Sequence, residues 1–245
     1  MENVLEKTIG QIVAEDYRTA QIFKNYKIDF CCKGDRSIEE VAEKNKLDAT
    51  RILQEIESIQ QHKNDEVIDF KSWPLDLLAD YIEKTHHRYV EAKIPVLKQY
   101  LDKLCKVHGS EHPELFTITD YFKSSAGELA AHMKREELIL FPAVRKMTLA
   151  ATTGIRFTQG HFGSIENPIQ KMMEEHETEG DRFREISELS NTYTPPADAC
   201  NTYRVTFSLL QEFEEDLHRH IHLENNILFP KAIQMEEQLQ LLKTE

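Results

Sequence analysis

The first sixty residues carry short apolar clusters at helical spacing, separated by polar breaks. Thr8 can cap a helix whose apolar positions run on to Phe23. Ser37 opens a second helix with a Ser-x-x-Glu capping box, and Asp48 can cap a third. These patterns predict a small helical domain over residues 1–62.

After a polar stretch at residues 60–71, which we predict to be a linker, the apolar pattern supports four much longer helices. Their expected bounds are 74–107, 119–147, 166–190 and 198–240, with bends at Pro95, Pro142 and Pro230 because proline removes a backbone hydrogen bond. Residues 148–164 form an unusually long connection, which indicates a lid, a variable insert or an oligomer contact. Four successive long helices predict an all-α, up-and-down four-helix bundle over residues 72–245.

Composition narrows the classes of function. The 245 residues carry a formal net charge of −13, which argues against nucleic acid or an anionic membrane as the main partner. No run of about 18 apolar residues occurs, so we expect a soluble, cytoplasmic protein. The four cysteines are scattered apart from one adjacent pair, which predicts reduced thiols rather than a disulfide framework.

One stretch of the bundle sequence occurs twice. Residues 132–142 read HMKREELILFP and residues 220–230 read HIHLENNILFP, so a His-x-x-x-Glu pair precedes an apolar run and Phe-Pro in both copies. Residues four apart lie on the same face of a helix, which places His132 beside Glu136 and His220 beside Glu224. A single pair would be weak evidence, but two copies with matching apolar tails predict two half-sites for metal.

Both pairs lie on the apolar stripe of their helix, so they are expected to point into the bundle. A buried carboxylate without a partner is costly, and metal coordination would supply that partner. His218 and His222 instead share a face with acidic residues. We therefore predict that these two histidines are exposed to solvent and do not bind metal.

The duplication also indicates where the remaining ligands lie. His176 is a lone histidine on an apolar stripe, 44 residues before His220. A similar step back from His132 reaches His86 and His87, and periodicity alone does not choose between them. Four histidines and two glutamates suit two metal ions, and mixed nitrogen and oxygen ligands without thiolate favour iron or manganese, with iron preferred.

These residues and their spacing resemble those of a known family. The bundle is similar to haemerythrin-like bundles, and the preceding DFCCKG at residues 29–34 makes the whole chain resemble the iron-sulfur cluster repair proteins of the RIC or ScdA type. The HRY at 87–89, the two duplicated stretches and the EH at 175–176 occur in that family's order. The resemblance covers nearly the full length.

The resemblance implies two non-haem iron ions joined by an oxo bridge and by the carboxylates of Glu136 and Glu224. The ligands that it implies are His87, His132, Glu136, His176, His220 and Glu224. It also implies a cytoplasmic homodimer that restores iron-sulfur clusters damaged by nitric oxide or peroxide. Its partners would be damaged iron-sulfur proteins, with nitric oxide or oxygen species as ligands of the centre, and neither nucleic acid nor membrane.

The mechanism stays open at this point, as do four accessory residues. Cys31 and Cys32 are candidate transfer thiols because the adjacent Lys33 would lower a thiol pKa, although they could equally be small packing residues. Glu128 and Glu175 are candidates for an access path, or else ordinary surface glutamates. Iron donation is the preferred mechanism. The alternatives are an enzyme that reduces nitric oxide or peroxide and a gas-binding or sensing module.

Overall fold

The computed structural model describes residues 6–61, 68–157 and 162–241, and all regular structure in these ranges is helical. Half of the predicted linker, residues 62–67, lies outside the described residues. Among the helices that are described, none is long and apolar enough to cross a bilayer.

The N-terminal unit consists of four short helices. They are α1 (Ile9–Glu15), α2 (Ala20–Asn25), α3 (Ile38–Asn45) and α4 (Ala49–Gln61), with a 3₁₀ turn at Tyr17–Thr19. Thr8 and Ser37 both cap through a complete capping box. The first predicted helix is interrupted at Asp16, because its carboxylate accepts the N–H of Arg18 and starts the 3₁₀ turn.

The rest of the chain forms four long bundle helices, as the sequence predicts. The first joins α5 (Leu75–Tyr81), a π-helical segment (Ile82–His87) and α6 (Arg88–His108), and the second joins α7 (Glu114–Arg135), a π-helical segment (Glu136–Leu140) and α8 (Phe141–Thr153). The third is the single helix α9 (Glu166–Leu189). The fourth joins α10 (Asn201–Leu223), a π-helical segment (Glu224–Leu228) and α11 (Phe229–Leu241).

The widened π-helical turns lie where the candidate ligands lie. Two of them begin at Glu136 and Glu224 and lead directly into the Phe-Pro of each duplicated stretch. Proline has no N–H and its ring collides with the carbonyl four residues earlier in an α-helix, and a wider turn relieves both problems. In the first bundle helix the widened turn lies at Ile82–His87, while the α-helix continues through Pro95.

The connection after the second bundle helix is shorter than the sequence predicts. The helix continues to Thr153 and ends at Gly154, whose φ of 71° is the left-handed conformation that glycine adopts at little cost. At the far end, the buried carboxylate of Glu236 accepts hydrogen bonds from the Ser164 hydroxyl and the Ile165 N–H. Residues 158–161 lie outside the described part of the chain.

Two apolar clusters build the core, and the candidate ligands lie between them. One contains Val90, Leu129, Phe183 and Leu217 together with the buried apolar residues of the N-terminal unit. The other contains Ile82, Leu140, Met172, Leu223 and Ile227. Along each bundle helix, the polar residues at positions 87, 132, 136, 176, 220 and 224 separate the two sets. The bundle therefore holds a polar layer inside an otherwise apolar interior.

Candidate metal centre

Six predicted ligands meet in this polar layer. His87 ends the π-helical segment of the first bundle helix, and His176 lies in the middle of the third. His132 and His220 lie in the last turn of α7 and of α10, with Glu136 and Glu224 at the start of the following π-helical segments. All six side chains are buried. Four different helices thus contribute one polar cluster.

The cluster divides into two groups of four ligand atoms. The first position has His87 and His220, the second has His132 and His176, and both include Glu136 and Glu224. Within each group the ligand atoms lie within 4.8 Å of one another. Each Nε2 atom lies 3.2–3.3 Å from a carboxylate oxygen of one of the two glutamates. Both carboxylates therefore lie between the two positions, as bridging ligands would.

The chemistry of these residues fits metal ions. Both carboxylate oxygens of Glu136 and of Glu224, and Nε2 of His87 and of His220, are buried and have no hydrogen-bond partner in the described part of the chain. Leaving such atoms unsatisfied costs several kcal/mol in total, and coordination would satisfy them together. Imidazole and carboxylate ligands without thiolate suit iron or manganese. The site accordingly fits the metal pair expected from the sequence.

Hydrogen bonds orient three of the four imidazoles. His87 donates from Nδ1 to Glu137 at 3.1 Å, His132 to Glu175 at 2.8 Å and His176 to the Asn225 side-chain oxygen at 2.8 Å. A proton held on Nδ1 leaves the lone pair of Nε2 directed into the cluster, which is the tautomer that binds metal. In contrast, His220 has no hydrogen-bond partner at Nδ1 among the described residues.

Charge inside the cluster is strongly coupled. Burial by itself lowers the pKa of His132, but the negative charge of Glu136, whose carboxylate lies 3.3 Å from Nε2, outweighs burial and raises the pKa to about 10. Burial and the charge of Glu224 would raise the pKa of Glu136, and the paired His132 lowers it overall. The two glutamates therefore demand positive charge beside them, which either protons on the imidazoles or metal ions can supply.

The structure brings His87, rather than His86, together with the other ligands. His86 points to a different neighbour and donates from Nδ1 to Asp216 at 2.9 Å. Its ring stacks on that of His220, with the centroids 5.6 Å apart and an angle of 8° between the planes. Burial lowers the pKa of His86 and so favours the neutral ring. His86 thus lies beside the cluster without joining it.

The Cys-Cys loop lies against the outside of the second metal position. Asn225, which accepts from His176, donates from its amide nitrogen to the Cys31 carbonyl at 3.1 Å. The Cys32 thiol donates to the backbone carbonyl of His176 at 3.3 Å. A β-carbon on Gly180 would lie 3.0 Å from the Cys32 sulfur, so the glycine permits this close approach. The two cysteines are therefore connected to one metal ligand through two short paths.

The expected effect of Lys33 is wrong for the Cys31 thiol. Its ammonium pairs with Glu177 at 2.9 Å. The hydrogen bond to Cys32 and burial raise the pKa of Cys31 well above its usual value. An activated thiolate produced by a neighbouring lysine is thus not a property of Cys31.

The predicted solvent exposure of His218 and His222 is also wrong. His222 is 1% exposed, accepts a hydrogen bond from Asn226 at Nδ1, and packs against Tyr17 and Phe30. His218 is partly buried and also contacts Phe30. The N-terminal unit covers this face of α10, which the polar pattern of the helix alone did not reveal. Neither histidine belongs to the two groups of ligand atoms.

Glu128 and Glu175 line the same small cavity as His132, His176 and His220, with a volume of about 20 Å³, enough for one water molecule. Glu175 also orients His132, and that hydrogen bond lowers the pKa of Glu175 to about 2. Glu128 is exposed and pairs with Arg182 at 2.9 Å. The two glutamates therefore differ: one holds a ligand, and the other lies at the cavity's outer wall.

Two residues that contact the cluster were missed from the sequence, namely Glu137 and Asn225, and so was Asp216, which contacts the neighbouring His86. Glu137 and Asn225 each directly follow one of the duplicated glutamates, and each accepts from a histidine of another helix. Their matched places in the two copies were a usable signal. Asp216 lies outside the duplicated stretches, so no pattern marked it.

Comparisons with known proteins agree with this architecture. Residues 5–60 match the model of the ScdA_N domain, a domain of unknown function, and residues 78–232 match the Hemerythrin HHE cation binding domain. The iron-sulfur cluster repair protein ScdA of Staphylococcus haemolyticus is 32% identical over 226 residues, covering 92% of this chain and 97% of that protein.

Two further relatives come from other bacteria. The probable iron-sulfur cluster repair protein of Haemophilus influenzae is 32% identical, covering 93% of this chain and 97% of that protein. The iron-sulfur cluster repair protein YtfE of Escherichia coli O81 is 29% identical, with the same coverage. The chain therefore belongs to the family of iron-sulfur cluster repair proteins that join an ScdA_N domain to a Hemerythrin HHE cation binding domain.

Proposed function

We propose that this protein repairs damaged iron-sulfur clusters by holding two iron ions in the bundle and releasing iron to the damaged cluster. The observation that carries the proposal is the pair of four-ligand groups that share both glutamates. His87 and His220 would hold one ion and His132 and His176 the other, with Glu136 and Glu224 bridging them. Two imidazoles and two shared carboxylates leave positions free on each ion, where an exogenous ligand can bind.

The protonation behaviour of the ligands supports release. With no metal present, the charge of Glu136 raises the pKa of His132 to about 10 against the opposing effect of burial, so this imidazole takes up a proton at neutral pH. The proton replaces part of the positive charge that a departing ion removes. Buried carboxylates therefore need not be left unpaired, and release does not require the bundle to unfold.

The place of the cysteine loop supports release of iron on the side of the bundle next to His176. Asn225 connects the Cys31 carbonyl to His176, and Cys32 contacts the backbone of the same ligand. We assign Cys31 and Cys32 to the transfer of iron and Glu128 and Glu175 to the path by which small molecules reach the centre. The Cys31→Ala/Cys32→Ala variant should keep the iron of the bundle and lose repair activity. Repair at the wild-type level would reduce the cysteines to packing residues.

Donation and catalysis predict different amounts of iron left on the repair protein after the reaction. The test mixes iron-loaded protein with an enzyme whose iron-sulfur cluster was damaged by nitric oxide, and follows recovered activity together with iron lost from the repair protein. Donation predicts repair in proportion to the iron supplied, ending when that iron is spent. Sustained consumption of a large excess of nitric oxide with added reductant, and with iron retained on the chain, would instead establish a reductase.

The biological setting belongs to the same proposal. We assign the protein to the cytoplasm and to a homodimer, and both assignments rest on the resemblance alone. Damaged iron-sulfur proteins as partners are supported by the names of the relatives. The net charge of −13 supports the absence of nucleic acid and anionic membranes among the partners. Light scattering of the purified protein measures the oligomeric state directly, and a monomeric mass would remove the homodimer from the proposal.

A further inference from the structure

A second set of metal-binding atoms lies in the Cys-Cys loop, outside the bundle. The sulfur of Cys31, the sulfur of Cys32 and a carboxylate oxygen of Asp29 lie within 4.8 Å of one another. The two sulfurs are 3.6 Å apart, and the Cys31 sulfur is 3.5 Å from Asp29 Oδ1. Both cysteines are free thiols.

The backbone fixes these three side chains on one side of the loop. Asp29 Oδ1 accepts the N–H groups of Cys31 and Cys32, at 3.2 and 2.9 Å. The other oxygen of Asp29 lies 3.5 Å from the guanidinium of Arg184. The two oxygens of a carboxylate have about four lone-pair sites, so Asp29 keeps capacity for an ion after accepting both N–H groups. A carboxylate held in this way is oriented before any ion arrives.

The spacing of the donor atoms matches one face of a tetrahedral site. A metal–sulfur bond of about 2.3 Å puts two thiolates of a tetrahedral ion roughly 3.8 Å apart, close to the observed separation of the sulfurs. Three donors leave the fourth position without a protein ligand. Asp29 and Cys31 also line a cavity of about 550 Å³ together with Gly180 and His218, so a molecule from solution can approach this position.

We propose that Asp29, Cys31 and Cys32 form a second, open metal site that takes a thiophilic divalent cation such as Fe²⁺, Zn²⁺ or Co²⁺. Both thiols would lose their protons to solvent as the two metal–sulfur bonds form, and the fourth position would be taken by water or by a ligand of another protein. A dithiolate with one carboxylate selects softer cations over Mg²⁺ and Ca²⁺.

The position of this site gives it a task in iron transfer. Cys32 contacts the backbone of His176, and Asn225 joins the Cys31 carbonyl to the same histidine, so the loop and the second metal position share supports. An ion that leaves the bundle on this side would meet two thiols and an open position. This task rests on the proposed donation of iron, whereas the binding of a cation by the loop does not.

Cobalt titration of the full-length protein tests the site. Co²⁺ bound by thiolate gives a sulfur-to-metal charge-transfer band in the near ultraviolet, and Co²⁺ bound by the histidines and glutamates of the bundle gives none. We expect the band to appear in wild type and in the Glu136→Gln/Glu224→Gln variant, which lacks the bridging carboxylates. A band in that variant would support a metal site in the loop even if the bundle failed to bind iron.

Three variants complete the test. Cys31→Ser/Cys32→Ser preserves the size of both side chains and should abolish the band. Asp29→Asn keeps an oxygen for the two N–H groups and should weaken Co²⁺ binding roughly tenfold. The control is Cys200→Ser, which removes an exposed thiol at 3.2 Å from His108 and should leave the band unchanged. Absence of the band in wild type, or its persistence without Cys31 and Cys32, would overturn the proposal.

Discussion

The two proposed metal positions share both glutamates, yet their histidines are held differently. At the second position, His132 donates to Glu175 and His176 donates to Asn225. At the first position, His87 donates to Glu137, but Nδ1 of His220 is buried and has no partner within residues 6–61, 68–157 and 162–241. One position thus has both imidazoles oriented by hydrogen bonds, and the other has only one.

One residue difference between the two halves of the bundle accounts for this difference in orientation. Glu175 directly precedes His176 and accepts from His132. The residue in the matching place before His87 is His86, which stacks on His220 and donates to Asp216 instead. A neutral imidazole stacked on a ligand cannot orient it as a carboxylate does. We therefore expect the ion held by His87 and His220 to exchange faster with metal in solution than the ion held by His132 and His176.

Removing a glutamate should abolish both positions, which is the largest effect. Glu136 and Glu224 belong to both groups of ligand atoms, so Glu136→Ala or Glu224→Ala should reduce iron from about two ions per chain to nearly none. Iron per chain, measured by elemental analysis after dialysis, gives the answer. Glu128→Ala is the matched control and should bind iron as wild type does. Retention of one full equivalent would mean that the glutamates are not shared.

Removing the N-terminal unit should lower the stability of the bundle without removing its metal ligands. Residues 72–245 contain all six ligands, and we propose that this fragment folds and binds iron. Because the buried apolar residues of the N-terminal unit join one core with Phe183, Leu217 and Ile221, we expect the fragment to lose at least about 3 kcal/mol in free energy of unfolding. Denaturant titration of both iron-loaded chains measures the loss. A fragment that cannot be loaded with iron would show that the two units are inseparable.

Removing a hydrogen bond that orients one histidine should have a smaller effect, confined to one of the two metal positions. Glu175→Ala removes the acceptor of His132 and should weaken iron at the second position about 10- to 100-fold, as losses of such partners do elsewhere. His86→Ala removes a ring that only stacks on His220 and should change affinity less. Chelator competition resolves the two ions by their rates of removal. Equal losses of iron affinity in the two variants would contradict the conclusion that the histidines of the two positions are oriented differently.

Mild acid should loosen the contact between the N-terminal unit and the bundle, which is the smallest effect. Burial lowers the pKa of His222 to about 3, against about 6.5 in the unfolded chain. The unfolded chain therefore binds a proton that the folded chain does not, and stability contributed by neutral His222 is present above pH 6.5 and is lost as the pH falls toward 3. His218, with a pKa lowered to about 4 by burial, acts in the same direction.

The His222→Gln variant isolates this contribution while leaving the metal ligands in place. Between pH 7 and pH 5, iron-loaded wild type should lose on the order of 1–2 kcal/mol more free energy of unfolding than the variant. Iron content should stay the same in both, because His222 is in neither group of ligand atoms. An identical pH dependence would show that His222 becomes protonated without unfolding.

Much of the fold and of the candidate site could be predicted from local patterns. The Thr8 and Ser37 capping boxes and the four long helices occur where the sequence placed them. The prediction failed where residues from distant parts of the chain meet. His222 was expected in solvent because its own helix offers a polar face, and Tyr17 and Phe30 cover that face in the folded chain.

The sequence by itself determined which side chains could serve as ligands. Histidine and glutamate four residues apart on an apolar stripe must lie together and face inward, because both consequences follow from the pitch of one helix. The repetition of that pattern 88 residues later also determined that there would be two such pairs.

Only the tertiary structure decided the environment of each imidazole. The choice of His87 over His86, the Asn225 link to the cysteine loop and the lone Nδ1 of His220 all depend on the register between helices that are far apart in sequence. That register is set by the packing of the two apolar clusters on either side of the ligands. Packing acts through side-chain volume at many positions at once, so no local spacing in the sequence records it.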